Sequence, residues 1–89
     1  MKVYVITSLT FDINDFKYIP GADETYVIAE EKAARDKFEE RVYGASVAYF
    51  DANDDGTEYY KEEEADGNGV LYYDDWHITR IRIEEVELE

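Results

Sequence analysis

The sequence HITRIRIEEVELE, residues 77–89, has the clearest β-strand pattern in the chain. Isoleucines alternate with polar residues, as expected of a strand that is covered on one face. The apolar positions change parity between Ile83 and Val86, which predicts a bulge or bend near Glu84 and Glu85. A strand of this length is expected to belong to a sheet. Other segments of the chain must therefore supply the strands that pair with it.

Two further strands are predicted in the first third of the sequence. Residues 1–11 alternate over their whole length, and residues 24–29, ETYVIA, are rich in β-branched and aromatic side chains. Between them, Pro20 and Gly21 are typical of a turn. The alternation in the first strand places one set of side chains on a common face: Val3, Val5, Thr7, Leu9 and Phe11.

A helix is predicted from Glu30, because the apolar period changes there from two to between three and four residues. Gly44 interrupts the pattern at a cost of roughly 1 kcal/mol relative to alanine. We favour a helix that continues to about Phe50, and the alternative ends it near Val42 and makes residues 46–51 a strand paired with residues 57–63. The helical stripe consists of Ala34, Phe38, Val42, Ala45 and Tyr49.

The remaining segment reads as a β-hairpin. TEYYKEEE at 57–64 and VLYYDD at 70–75 flank the turn sequence ADGNG at 65–69. Together these elements predict an α+β fold: a small antiparallel sheet of four to five strands with one α-helix packed on a face. Residues 1–89 form a single predicted domain, in keeping with the length of the chain.

The charge of the chain is strongly acidic and unevenly distributed. Its 23 acids and 9 basic residues give a formal net charge of -14. Residues 51–75 contain ten of the acids and a single base, Lys61. Such a chain repels nucleic acids and anionic membranes, so we expect neither as a direct partner. Basic proteins and cations remain as expected partners.

One acidic stretch fits the loop template of helix-loop-helix calcium sites. In this alternative, side-chain oxygens, one backbone carbonyl and a bidentate glutamate would bind the ion. The template also requires a helix directly after the loop. Here TEYYKEEE has the pattern of a strand, so no such helix is predicted. We therefore favour no metal and no cofactor, with calcium as the alternative, bound by Asp51, Asn53, Asp55, Thr57 and Glu62.

The predicted hairpin and its flanks combine acids with tyrosines. Two adjacent acidic strands would carry roughly one negative charge per 3.4 Å, close to the axial charge density of a nucleic-acid strand. Tyrosines in such a surface add rigid apolar area and hydroxyl groups, which anchor interfaces. The predicted partner-binding residues are Asp54, Asp55, Glu58, Tyr59, Tyr60, Glu62, Glu63, Glu64, Asp66, Tyr72, Tyr73, Asp74 and Asp75.

In its size, its lack of cysteine, its acidic segment 51–75 and its interleaved tyrosines, the chain resembles small acidic inhibitors of phages and mobile elements. These include uracil-DNA glycosylase inhibitor, anti-restriction DNA mimics and anti-CRISPR proteins. The resemblance implies stoichiometric blocking of the nucleic-acid site of a basic defence or repair protein, such as a CRISPR effector or restriction enzyme. It rests on composition rather than on a motif, so no functional residue is carried over.

We do not expect an enzyme. His77 is the only histidine, and the two serines, Ser8 and Ser46, are far from it in sequence. Arg80 and Arg82 are expected to pair with acids of a neighbouring strand. The N-terminal residues lack the pattern of a signal peptide, so we expect a cytoplasmic protein, in the host cell if phage-encoded. An accessory domain without mimicry remains a further alternative, and the oligomeric state is left open.

Overall fold

The computed structural model describes residues 1–12, 17–18, 24–51 and 58–88. Within these residues it has an antiparallel sheet and one α-helix, which confirms the predicted α+β fold. The helix continues into a short π-helical turn. The elements in chain order are β1 (Lys2–Asp12), β2 (Lys17–Tyr18), β3 (Glu24–Ile28), α1 (Glu31–Ser46), the π-helical turn (Val47–Asp51), β4 (Tyr60–Glu63), β5 (Gly69–Tyr73) and β6 (His77–Glu87).

The sheet is five strands wide, with β1 and β6 at its centre. β6 pairs with one edge of β1 along its whole length, and both β2 and β3 pair with the other edge. β5 and then β4 follow on the far side of β6. All pairs are antiparallel, and β4 is the outermost described strand on its side.

The predicted bulge near Glu84 and Glu85 is wrong. The β1–β6 register runs without a break from Lys2↔Glu87 to Asp12↔His77. The apolar parity changes because Val86 lies opposite Val3, on the face of the sheet that points away from α1. The strand therefore stays regular, and its apolar residues find partners on both faces of the sheet.

The helix begins with a side-chain cap and follows the longer of the two predicted versions. Both carboxylate oxygens of Glu30 accept hydrogen bonds from the first turn, from the amides of Lys32 at 3.0 Å and Ala33 at 2.7 Å. The helix passes through Gly44 and continues as the π-helical turn to Asp51. The alternative in which residues 46–51 form a strand is wrong.

The core lies between α1 and one face of the sheet. Ala34 and Phe38 on the helix pack with Ile6 of β1 and with Ile81 and Ile83 of β6. The rest of the predicted helical stripe, Val42, Ala45 and Tyr49, packs against this cluster. The helical period in the sequence therefore identified the buried face of α1.

The opposite face of the sheet, here called the open face, carries the predicted alternating set of β1. Ile6 is fully buried in the core, so Val5 and Thr7 beside it must point to the other side. The same alternation puts Val3, Leu9 and Phe11 on the open face. Since no described helix packs there, the open face presents apolar and charged side chains together.

Candidate functional site

Strand alternation separates the four tyrosines of the predicted hairpin surface into two groups. Tyr72 of β5 is fully buried and packs against Tyr49, with a distance of 5.8 Å between ring centroids. Tyr59, just before β4, contacts the same Tyr49 edge-on at 6.0 Å. Tyr60 and Tyr73 are directly opposite each other across β4 and β5 and stack at 5.2 Å on the open face.

The prediction that Tyr72 contacts a partner is therefore wrong. A side chain with no exposed surface has no area to offer, and its ring is part of the core. Tyr59 is half-buried and also contacts Phe50 at 6.3 Å, so it supports the helix side of the sheet. Tyr60, which is 41% exposed, and Tyr73 remain as surface aromatic residues.

Two of the predicted partner-binding acids are already paired within the chain. Glu64 binds Arg80 at 2.7 Å and also binds Arg82, and Asp66 binds Arg82 at 2.7 Å. We call these four residues the ion-pair cluster. The predicted pairing of the two arginines with acids is confirmed, but these acids follow β4 in the turn before β5 and do not belong to a strand next to β6. Arg82 also binds Glu84 at 2.9 Å, so its charge is shared among three carboxylates. Glu64 and Asp66 already have arginine partners and are therefore poor candidates for a partner's cations.

The electrostatic effect of this cluster is visible in its carboxyl groups. The hydrogen bond from Arg82 lowers the pKa of Asp66 from an ordinary 3.8 to about 2. The hydrogen bond from Arg80 lowers the pKa of Glu64 in the same way. Both carboxylates are therefore held in the charged form by the arginines of β6.

Gly69 makes the ion-pair cluster possible. Glu64, Gly69 and Arg82 are neighbours in one row across the sheet, so the side chain of Glu64 must cross β5 to reach β6. A Cβ atom on Gly69 would overlap the Glu64 carboxyl group. The absence of a side chain on Gly69 thus leaves the path clear. A second glycine, Gly67, closes the turn with a φ of +73°.

Two more of the predicted acids have partners in the chain. Glu63 lies on the helix side of the sheet, where Lys61 approaches it at 3.6 Å. Asp74 accepts hydrogen bonds from the amides of Trp76 and His77, each at 2.7 Å, and its side chain is only 12% exposed. Asp74 therefore holds the β5–β6 turn rather than offering a surface charge.

Glu58, Glu62 and Asp75 have no ion-pair partner among the described residues, and all three lie close to the stacked tyrosines. The Tyr60 hydroxyl donates to Glu58, and the Tyr73 hydroxyl donates to Glu62 at 3.0 Å. These hydrogen bonds are the main reason that the pKa of each tyrosine is raised, and the nearby charge of Asp75 contributes at Tyr60. We call the five residues the tyrosine cluster.

The tyrosine cluster continues across the sheet as a row of apolar side chains. Tyr60, Tyr73, Ile78 and Phe11 are successive cross-strand neighbours on β4, β5, β6 and β1. Trp76, which is 61% exposed, follows Asp75 in the chain. Sequence reasoning missed Phe11 and Ile78 as site residues, because only the strand register shows that they share a row with the two tyrosines. It also missed Trp76, which lies in the turn between β5 and β6.

The alternative calcium loop lies largely outside the described residues, as do the predicted partner-binding residues Asp54 and Asp55. Of the alternative calcium ligands, Asn53, Asp55 and Thr57 lie outside the described residues, and only the backbone of Asp51 is described. Glu62, the intended bidentate ligand, lies in β4 and accepts the hydrogen bond from Tyr73. A strand therefore occupies the place where the calcium template has its exit helix.

Within the described sheet, Ser8 and His77 are not close to each other. Ser8 pairs with Ile81 and Asp12 with His77, so the serine and the histidine are four residues apart along the sheet. That separation is roughly 13 Å at the usual rise per residue. The Nδ1 atom of His77 lies 3.7 Å from Asp74. This contact belongs to the turn between β5 and β6, which Asp74 also holds through the amides of Trp76 and His77.

Comparison with protein-family models, curated proteins and solved structures finds no match to the chain. None of the helices in the described ranges is long and apolar enough to span a membrane.

Proposed function

We propose that the protein is an acidic protein-binding inhibitor that imitates nucleic acid and occupies the nucleic-acid site of a basic protein. The observation that carries this proposal is the tyrosine cluster. Three carboxylates without an ionic partner in the described residues lie close to two stacked aromatic rings, of which Tyr60 is exposed and Tyr73 is partly exposed. Alternating charge and aromatic surface are the two features that a single nucleic-acid strand offers to a protein.

The distribution of charge on the molecule supports this location. On α1, four acids are balanced by four basic residues, and Lys32–Asp36 and Lys37–Glu40 form ion pairs along it. In the ion-pair cluster Arg80 and Arg82 offset the charges of Glu64 and Asp66, and Glu84 is a third carboxylate bound to Arg82. The charges of the tyrosine cluster are not cancelled, so a basic partner is drawn to this end of the open face.

The test begins with capture of proteins from a host lysate on the immobilised protein and on two matched variants. Glu58→Gln/Glu62→Gln removes two charges from the tyrosine cluster, and Glu31→Gln/Glu39→Gln removes two from the exposed face of α1. The captured partner is then purified, and displacement of its labelled nucleic acid is measured by fluorescence anisotropy.

We expect displacement at one equivalent of the wild-type protein. The Glu58/Glu62 variant should bind about ten-fold more weakly at low ionic strength, because it loses two charges that attract the partner. The Glu31/Glu39 variant should match the wild type. A partner that keeps its nucleic acid when saturated with this protein would rule out the blocking mechanism.

A further inference from the structure

We infer that the tyrosine cluster receives an arginine of the partner, in preference to a lysine, with the guanidinium stacked on Tyr60 and bound by the neighbouring carboxylates. This inference rests on the proposed function and specifies the side chain that the partner contributes.

The orientation of the two rings leaves one aromatic face accessible. Tyr60 and Tyr73 stack with an interplanar angle of 21° and a centroid distance of 5.2 Å, close to the ~4.8 Å spacing of adjacent strands. The ring faces are therefore directed along the sheet, from strand to strand. One face of Tyr60 covers Tyr73, and the other points outward, because β4 is the last described strand on this side.

The carboxylates that bind the two tyrosine hydroxyls are oriented before a partner arrives. Glu58 accepts a hydrogen bond from Tyr60, and Glu62 accepts one from Tyr73. A carboxylate has two oxygens and about four acceptor sites, so each retains capacity after binding one hydroxyl. Because these side chains are already oriented, a cation that binds them loses less conformational entropy.

This combination of a flat ring and fixed carboxylates suits a guanidinium group. Guanidinium is planar, stacks on aromatic faces and donates two parallel hydrogen bonds to a carboxylate. The ammonium of lysine is a compact, strongly hydrated charge without a plane to lie against the ring. Arginine is also the side chain that holds phosphates with two hydrogen bonds, so a nucleic-acid site offers it in the required position.

The chain already contains the carboxylate–guanidinium part of this arrangement, without the aromatic ring. In the ion-pair cluster, Glu64 and Asp66 bind the guanidinium groups of Arg80 and Arg82 through several hydrogen bonds. The tyrosine cluster lies at the next positions of the same hairpin and has the carboxylates without the arginine. The partner's arginine would complete it.

Binding of two peptides of equal length, oligo-arginine and oligo-lysine, tests the inference without the partner. The exposed Trp76 next to Asp75 is the only tryptophan and provides a fluorescence signal. Three variants are compared with the wild type. Tyr60→Leu removes the aromatic face, Tyr60→Phe keeps the ring without its hydroxyl, and Tyr43→Leu removes a tyrosine from α1 that is 71% exposed.

We expect the wild type to bind oligo-arginine about two- to five-fold more tightly than oligo-lysine, the range given by an exposed cation–π contact. Tyr60→Leu should abolish this preference, while Tyr60→Phe and Tyr43→Leu should keep it. Circular dichroism of each variant checks that the fold is intact.

Equal affinity for the two peptides, no binding of either, or a preference that survives Tyr60→Leu would overturn the inference. These results leave the proposed function open to its own test, because displacement of nucleic acid from a captured partner does not depend on arginine preference. If displacement occurs and no preference is found, the function stands and the arginine contact is wrong.

Discussion

Glu62 and Glu64 are two residues apart on the same hairpin and point to the same face of the sheet, yet they belong to different clusters. Glu62 lies beside Leu71, whose side chain stands between it and Arg80 in the same row. Glu64 lies beside Gly69, which has no side chain, and so reaches both arginines of β6. One neighbouring residue therefore decides whether a carboxylate stabilises the fold or remains available at the surface.

This difference shows that a net charge does not measure an interaction surface. Residues 51–75 read as a uniformly acidic segment, but within the described part of that segment several acids serve the protein itself. In the described part of the segment, the acids without an ion pair lie close to the Tyr60–Tyr73 stack.

The largest expected effect comes from removing the central carboxylate of the ion-pair cluster. Glu64→Gln should lower the free energy of unfolding by about 1–2 kcal/mol, a value reduced from that of a buried pair because Arg80 is half-exposed. Glu62→Gln is the matched control, since it changes the same residue type on the same face and should stay within about 0.5 kcal/mol of the wild type. Urea unfolding followed by circular dichroism measures both, and equal losses would contradict the distinction between the clusters.

A smaller loss is expected from Gly69→Ala. The added Cβ overlaps the Glu64 carboxyl group, which must move away from Arg80 and Arg82. We expect a loss of about 1 kcal/mol, partly offset because alanine costs less backbone entropy than glycine.

A double-mutant cycle separates these two contributions to the effect of Gly69→Ala. In a Glu64→Ala background the overlap is absent, so Gly69→Ala should no longer destabilise the protein. Additive free energies of unfolding in the cycle would mean that Gly69 serves some purpose other than admitting Glu64.

The smallest effect is a pH dependence produced by Asp66. Its pKa in the folded state, about 2, lies below the ordinary 3.8, so its contribution to stability is complete above 3.8 and is lost as the pH falls towards 2. The deficit of Asp66→Asn relative to the wild type should therefore shrink over that interval. Urea midpoints at a series of pH values measure it, with Asp75→Asn as the control that lacks an ionic partner in the described chain. If the stability deficit of Asp66→Asn did not change with pH, the ion pair would not be its cause.

The regular elements could be predicted because periodicity depends on local sequence. The stripe from Ala34 to Tyr49 identified both the helix and its buried face. Alternation identified β1 and β6, and β-branched and aromatic composition identified β3. The bulge was wrongly predicted because Val86 was assumed to need the same face as Ile83. The sequence pattern of β6 alone does not show that Val3 offers an apolar neighbour on the other face.

The site could be predicted only in part. The local sequence shows which residue types it contains, but it does not show on which face of the sheet each side chain lies. VLYY has apolar residues at both parities, so nothing in β5 alone shows that Tyr72 enters the core while Tyr73 stays outside. The pairing of Glu64 with Arg80 was likewise recognisable only as a general tendency. Its geometry depends on Gly69, which the sequence indicated merely as a turn residue.

The pairing of β1 with β6 has a consequence for how the protein folds. The two central strands come from opposite ends of the described chain, whereas α1 and the β4–β5 hairpin join residues that are near in sequence. Closing a long loop costs entropy before its contacts form, and folding slows as contacts become less local. We expect the helix and hairpin to form early and the centre of the sheet to assemble last, with a folding rate set by the meeting of the two outer segments.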